Sequence, residues 1–187
     1  MRFGWEGKRI RLVPLEKERH LFFCTKWVND TKLTEFTCIG DYPLNSIAEE
    51  NFIDHVSSLQ ENPTRISFAV ETLAGEPIGL CGLNEVSYRH GHAEIGYVLG
   101  EKTFQRKGLG TEMVSLLTAY AFEVVGLRLV RANVFPENVP SVKILLKLGY
   151  VECGRIPQYY WKRGQYRDEL IFCCFHASFK AASSSNP

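Results

Sequence analysis

The sequence predicts an α+β fold with a central mixed, mostly antiparallel sheet flanked by helices. Three observations carry this. Short alternating runs of apolar and polar residues come in the order strand, two helices, three strands, helix, strand, helix, two strands. The three strands in mid-chain are separated only by short turns, so they pair antiparallel, whereas a helix follows them and sends the next strand back parallel. The 187 residues show no repeat, linker or shift in composition, so the expectation is one domain over 1–187, with a core at about 8–178.

Each element has its own signal. Lys8 to Leu15 alternates basic and apolar residues and reads as a half-buried first strand. Glu16 to Asn29 is helical in period: Leu21, Cys24 and Val28 share a face, and Phe23 and Trp27 lie one turn apart. Asp30 to Pro43 is irregular. Ser46-Ile47-Ala48-Glu49 reads as a capping box that starts a helix at Ser46, with Phe52, Val56 and Leu59 on its apolar stripe and Asn62-Pro63 as its stop. Ile66 to Glu71 and Ile78 to Val86 form a hairpin across Ala74-Gly75-Glu76-Pro77, and a turn at 88–92 leads into the strand Ala93–Leu99. The helix after residue 108 sets Met113, Leu116, Leu117, Tyr120 and Val124 on one face and ends at Gly126. Leu129 to Phe135 is a strand, and Asn138 caps a short helix with Pro140 in its first turn; Ile144, Leu145 and Leu148 face inward. Tyr150 to Ile156 and Asp168 to His176 are the last strands, joined by an aromatic, basic connection at 157–167. The tail Ala181–Pro187 is expected to be disordered.

The composition excludes several classes. Hydrophobic residues make up 45% and the net charge is +1, which describes a folded globular chain and no general polyanion binder, so direct nucleic-acid binding is not expected. No apolar run approaches the roughly 20 residues of a membrane span. The N-terminal residues carry no apolar signal core, so a cytoplasmic protein is expected. The six cysteines (Cys24, Cys38, Cys81, Cys153, Cys173, Cys174) lack C-x-x-C spacing and read as buried reduced thiols. His90 and His92 have no third partner pattern nearby and read as solvent-facing, so no metal site is expected.

The stretch that carries chemistry is Leu99-Gly100-Glu101-Lys102-Thr103-Phe104-Gln105-Arg106-Lys107-Gly108-Leu109-Gly110-Thr111. It is a basic, glycine-bearing loop between a strand and a helix N-terminus, where unpaired first-turn N–H groups and the helix dipole favour an anion. Gly108 and Gly110 let a phosphate approach the backbone, and Arg106 and Lys107 add charge. The pattern is neither G-x-x-x-x-G-K-[ST] nor G-x-G-x-x-G; it is Gln105-x-x-Gly108-x-Gly110.

That loop, with Ala93-Glu94-Ile95-Gly96-Tyr97 before it, resembles the acetyl-CoA pyrophosphate loop of the GNAT N-acetyltransferases. Pro136-Glu137-Asn138-x-x-Ser141 and Leu146-Lys147-Leu148-Gly149-Tyr150 are similar to further motifs of that family. Arg155 followed by Gly164-Gln165-Tyr166-Arg167-Asp168 resembles a turn common in the branch with the ribosomal-protein-alanine N-acetyltransferases. The resemblance covers residues 8–178 and implies a GNAT fold. It also implies acetyl-CoA as cosubstrate, no metal, and direct acetyl transfer to a primary amine in a ternary complex. On this reading Glu94 is the base that deprotonates the amine, directly or through water. Backbone N–H groups at Tyr97, Val98 and Leu99 hold the oxyanion and the pantetheine arm. Gln105, Arg106, Lys107, Gly108, Leu109, Gly110 and Thr111 hold the pyrophosphate, Asn138 and Ser141 contact the cofactor arm, and Ser141 or Tyr150 protonates the leaving thiolate.

The acceptor is expected between the first two helices and the last two strands. Trp27, Glu35, Phe36, Asp41 and Tyr42 lie on one side, and Tyr159, Tyr160, Trp161, Lys162, Arg163, Tyr166 and Arg167 on the other. The aromatics form walls. The basic residues disfavour a polyamine and suit a carboxylate or phosphate unless Glu35 and Asp41 dominate. Branch resemblance puts a protein N-terminal amine first. A small-molecule amine (an amino acid, antibiotic or amino sugar) is the alternative, as is a non-catalytic CoA sensor. A monomer or homodimer is expected.

Overall fold

The computed structural model describes residues 5–57 and 61–180. Its elements are β1 (Ile10–Pro14), α1 (Lys17–Val28), α2 (Ser46–Ser57), β2 (Ile66–Thr72), β3 (Pro77–Ser87) and β4 (His92–Leu99). They continue with α3 (Leu109–Glu123), β5 (Leu129–Val134), α4 (Val139–Lys147), β6 (Val151–Lys162) and β7 (Gln165–Phe175). The seven strands form one sheet in the order β1-β2-β3-β4-β5-β7-β6. Every pairing is antiparallel except β4 with β5. This is the mixed, mostly antiparallel α+β arrangement expected from the sequence.

The sheet separates two cores. On one face α3 and α4 cover Ile10, Leu12, Phe68, Val70, Ile95, Val130, Ala132 and Phe172, and Met113, Leu117 and Leu145 meet them. On the other face, Cys24 of α1 and Ile53 of α2 pack on Leu15 and Ala69. Beside this second core lies a polar knot. Glu71 is fully buried and accepts from Arg11 at 2.9 Å, from Arg19, and from His20 at 3.2 Å. Burial pushes the Glu71 carboxyl up, but the bonds from Arg11 and His20 and the charges of Arg19 and Arg11 outweigh it, and the carboxyl lies below its ordinary range.

The feature that makes the site is a split in the sheet. β4 and β5 pair only at His92↔Leu129, Ala93↔Val130 and Glu94↔Arg131. β4 stays bonded to β3 as far as Gly79↔Leu99. The two parallel strands therefore diverge after Glu94, which opens one edge of β4.

Several expectations are corrected. Asn45, not Ser46, caps α2: its Oδ1 accepts from Ala48 N–H at 2.9 Å, so Ser46 is the first helical residue. Helix α3 stops at Glu123, and Val124, beyond it, is half exposed. β6 runs on through Pro157 to Lys162, and only Arg163-Gly164 forms the turn. A register shift between Ile156 and Tyr160, with Gln158 at φ +52°, lets the strand pass Pro157 as a bulge. Asp168 fastens that bulge through Gln158 N–H at 2.8 Å and Arg155 Nε at 2.7 Å. All six cysteines are free, but only Cys24, Cys81 and Cys174 are buried; Cys38 and Cys153 are exposed. The expected tail disorder and the expected stripe position of Leu59 fall on residues outside those described.

Candidate active site

The basic loop leaves β4 as a short 3-10 turn, Lys102–Phe104, and enters α3 at Leu109. Gly108 sits in the left-handed region at φ +78°, where a side chain is strained. It is the N-cap of α3 and offers no side-chain bond to the first-turn N–H groups. No side chain at the N-cap competes for those donors, which can take an anion. A Cβ on Gly110 would press on Ile144 Cδ1 at 3.2 Å, so this glycine keeps α3 close to α4. Gln105 Nε2 donates to Leu99 O at 3.2 Å and ties the loop to the open end of β4. Arg9, which sequence reasoning passed over, donates from Nη1 to Lys107 O at 2.7 Å and from Nε to Glu112 Oε2 at 2.9 Å. It neutralises the one acidic residue in the first turn of α3 and clamps the loop carbonyl.

The open edge of β4 supplies donors. Gly100 N–H goes to Ile78 O on β3 at 2.8 Å. Alternation along the strand then turns Val98 toward β3 and turns Tyr97 and Leu99 toward the gap left by β5. Two of the three expected backbone donors thus face the gap, and Val98 N–H does not.

Side chains alternate as well. Tyr97 packs toward α4, and its hydroxyl meets Ser141 Oγ at 2.5 Å. Ser141 lies in the first turn of α4, where its N–H bonds to the capping Asn138 Oδ1 at 3.3 Å. Burial pushes the Tyr97 phenol up to about 12, against the bond from Ser141, so the pair stays protonated at neutral pH. Tyr150 lies elsewhere: it is fully buried, and its hydroxyl is 2.7 Å from Thr118 Oγ1 in α3. The structure places it as a core residue whose hydroxyl is bonded to Thr118 and not to Ser141.

Glu94 points to the opposite face. Its Oε2 accepts from Arg131 at 2.7 Å and from Asn133 Nδ2 at 3.2 Å. Arg131 also reaches Glu85 Oε2 at 2.8 Å. Farther along that face the connection 30–45 folds over the β6–β7 hairpin. Lys162, buried, pairs with Asp41 at 2.6 Å and bonds Ile39 O at 2.9 Å. Arg163 lies 3.8 Å from Glu35, and Arg167 is 2.7 Å from Glu137. The expected acidic counterweights are therefore in contact with the hairpin's cations. Trp27 is not an acceptor wall: it is buried against Gly100 and donates to Glu101 Oε1 at 2.9 Å. Tyr42, Tyr159, Trp161 and Tyr166 are largely exposed, whereas Tyr160 turns inward against Phe135. Among the described residues no group of three His, Cys, Asp or Glu side chains is placed to hold a metal.

A strand that parts from its parallel neighbour, followed by an uncapped basic loop on a helix, can take a ligand with a diphosphate and an extended arm. Comparison with known proteins agrees. The family model described as an acetyltransferase (GNAT) domain matches residues 9–151. An N-acetyltransferase called p20 from Bacillus licheniformis is 32% identical over 88% of this chain and 92% of its own length. The spermidine N(1)-acetyltransferase of Escherichia coli is 27% identical over 92% of this chain and 89% of that protein. The E. coli [ribosomal protein uS5]-alanine N-acetyltransferase is 31% identical over 51% of this chain and 50% of its own. The Vibrio cholerae spermidine N-acetyltransferase solved with CoA and spermine shares the fold, with TM-score 0.80 over 90% of this chain and 96% of that one at 23% identity. The chain belongs to the GNAT family. It is an acetyl-CoA-dependent N-acetyltransferase. No helix among the described residues is long and apolar enough to cross a membrane.

Proposed function

We propose that this enzyme acetylates a small cationic amine rather than a protein N-terminus. The observation that carries the reading is the charge balance of the acceptor face. Each hairpin cation on that face or at its turn is matched by a carboxylate, through Lys162–Asp41, Arg163–Glu35 and Arg167–Glu137. Arg131, in contrast, is shared by Glu85 and Glu94. The surplus on that face is negative, which attracts an ammonium and repels a carboxylate or phosphate. The spermidine acetyltransferases among the relatives support the same class.

Acetyl-CoA supplies an activated acetyl thioester. The loop from Gln105 to Thr111 takes the diphosphate on its backbone N–H groups, with Arg106 and Lys107 as counter-charge. Asn138 and Ser141 line the arm. Glu94, held by Arg131 and Asn133, draws the acceptor ammonium to the face opposite Ser141. Tyr97 and Leu99 N–H groups receive the oxyanion when the amine attacks, and Ser141, backed by Tyr97, gives a proton to the departing sulfur.

A panel of acceptors tests the class. Mono-, di- and polyamines, free amino acids, amino sugars and alanine-initiated peptides are each assayed for thiol release, with the product mass confirmed. Amines lacking a carboxylate are expected to have the highest kcat/KM. A peptide that outruns every amine would overturn the reading.

A further inference from the structure

A second carboxylate lies on the acceptor face. On β7, Cys173 pairs with Arg131 and Ile171 with Asn133, so alternation brings Glu169 onto the same face as Glu94. Glu169 is almost fully buried, at 3% exposure, yet no cation pairs with it among the described contacts. Its Oε1 accepts from the Tyr160 hydroxyl at 2.9 Å. The bulge fastened by Asp168 is what aims Tyr160 there: it shifts β6 so that Tyr160 stands across from Arg167, on the face that carries Glu169. Asn133, between the two carboxylates, donates to Glu94, and its buried Oδ1 has no partner.

We propose that Tyr160 and Glu169 form the proton acceptor for the incoming amine, with Tyr160 touching the substrate and Glu169 acting through it. This rests on the reading of the site as an amine acetyltransferase site. The acceptor ammonium gives one proton to Tyr160 Oη as Tyr160's own proton passes to Glu169 Oε1. That leaves a neutral amine, an intact phenol and a protonated Glu169. The amine nitrogen then bonds to the thioester carbon, and the C–S bond breaks with its electron pair on sulfur. Sulfur takes a proton through Ser141, and the second N–H proton lost on collapse balances it. Glu169 returns its proton to water after product leaves.

The surroundings suit this role. Glu94 on β4, Arg131 and Asn133 on β5, Tyr160 on β6 and Cys38 in the 30–45 connection are the polar neighbours. Burial, then the charge of Glu94, push the Glu169 carboxyl above its ordinary range, against bonds from Tyr160 and Asn133 and the charge of Arg131. A base poised nearer neutrality is the more effective one.

The test is the pH dependence of kcat/KM and kcat for Glu169→Gln, Glu169→Asp, Tyr160→Phe and the Gln/Phe double variant. The acceptor is whichever substrate ranks first in the panel, amine or peptide, so a wrong acceptor class does not confound the result. Glu169→Gln and Tyr160→Phe are each expected to lower kcat on the order of 10²-fold near neutral pH and to abolish the acidic limb. The double variant should be no worse than either single one. Glu169→Asp should restore a limb. Acetyl-CoA binding, followed by thermal shift, should be unchanged. A limb that survives in Glu169→Gln, or a loss equal at all pH values, would overturn the proposal. Tyr160→Phe keeps the ring against Phe135 and answers the question if the Gln variant does not fold.

Discussion

The competition between Ser141 and Tyr150 for the sulfur side can be decided by three substitutions. Ser141 Oγ and Tyr97 Oη are 2.5 Å apart, so they are expected to act as one donor. Ser141→Ala removes the hydroxyl proposed to protonate sulfur and should lower kcat on the order of 10²-fold, or about 2.7 kcal/mol of barrier. Tyr97→Phe should cost a comparable factor, and the double variant little more, because the second deletion finds nothing left to remove. Tyr150→Phe behaves differently. It deletes one buried hydroxyl, but Thr118 Oγ1 keeps its bond to Val114 O at 2.7 Å, so no donor is stranded. The cost is about 1 kcal/mol of stability, a fall in Tm of about 2–4 °C for a chain of this size, with kcat unchanged. Steady-state thiol release and a thermal melt read both quantities. A Tyr150→Phe enzyme with full stability and a crippled kcat would refute the assignment, and so would additive losses from Ser141→Ala and Tyr97→Phe.

Three other expectations follow from single contacts. Gly100→Ala puts a Cβ 2.2 Å from the Trp27 ring and should cost about 1–3 kcal/mol in a denaturant melt, because the indole is boxed in by its bond to Glu101. Arg9→Met releases the Lys107 carbonyl and should raise KM for acetyl-CoA about tenfold, the worth of one charge-assisted bond, while KM for the amine stays put. Glu71 is held below its ordinary range in the folded state. Its contribution is therefore complete above the unfolded carboxyl value near 4.3 and is lost as pH falls through the folded one. Glu71→Gln should cost about 2 kcal/mol at pH 7 and flatten the acid end of the stability curve, as measured by urea titrations from pH 7 to pH 3.

What could be read in the sequence was whatever is local. The alternation of Ala93 to Leu99, the glycine loop at Gly108 and Gly110 and the cap at Asn138 each depend on neighbours within a few residues. Asn45 and Ser46 are both good caps, so the helix start was legible and the identity of its cap was not. Pro157 reads as a strand end because proline cannot donate to a ladder. The strand survives it because Asp168, eleven residues on, holds Gln158 in a bulge. The motif Gly164-Gln165-Tyr166-Arg167-Asp168, read for its resemblance, thus has a structural reason: its aspartate pins the bulge that turns Tyr160 inward. The Tyr160–Glu169 pair depends on that register and could not be inferred from spacing. Its one trace was Glu169 standing in an otherwise apolar alternation with Ile171 and Cys173.

The two halves of the chemistry are divided by the simplest rule of a strand. In β4, odd-numbered residues send their side chains toward α3 and α4, where Tyr97 finds Ser141; even-numbered residues send theirs to the acceptor face, where Glu94 finds Arg131 and Asn133. The same odd residues, Tyr97 and Leu99, turn their N–H groups to the gap beyond Glu94. A thioester lying in that gap would have its sulfur toward the serine, its oxygen toward the two amides and its open carbon toward the carboxylates. Slipping β4 by one residue would exchange the faces and turn the amides of Val98 and Gly96 outward instead. The β3–β4 register from Gly79↔Leu99 to Asn84↔Glu94 sets the faces as they are, and Gly79, with Val98 O 2.3 Å from where a Cβ would stand, lets the two strands meet there only without a side chain. Substitution of Gly79 by Ala should therefore damage turnover with both substrates at once, a pattern that neither the loop variants nor the acceptor-face variants share.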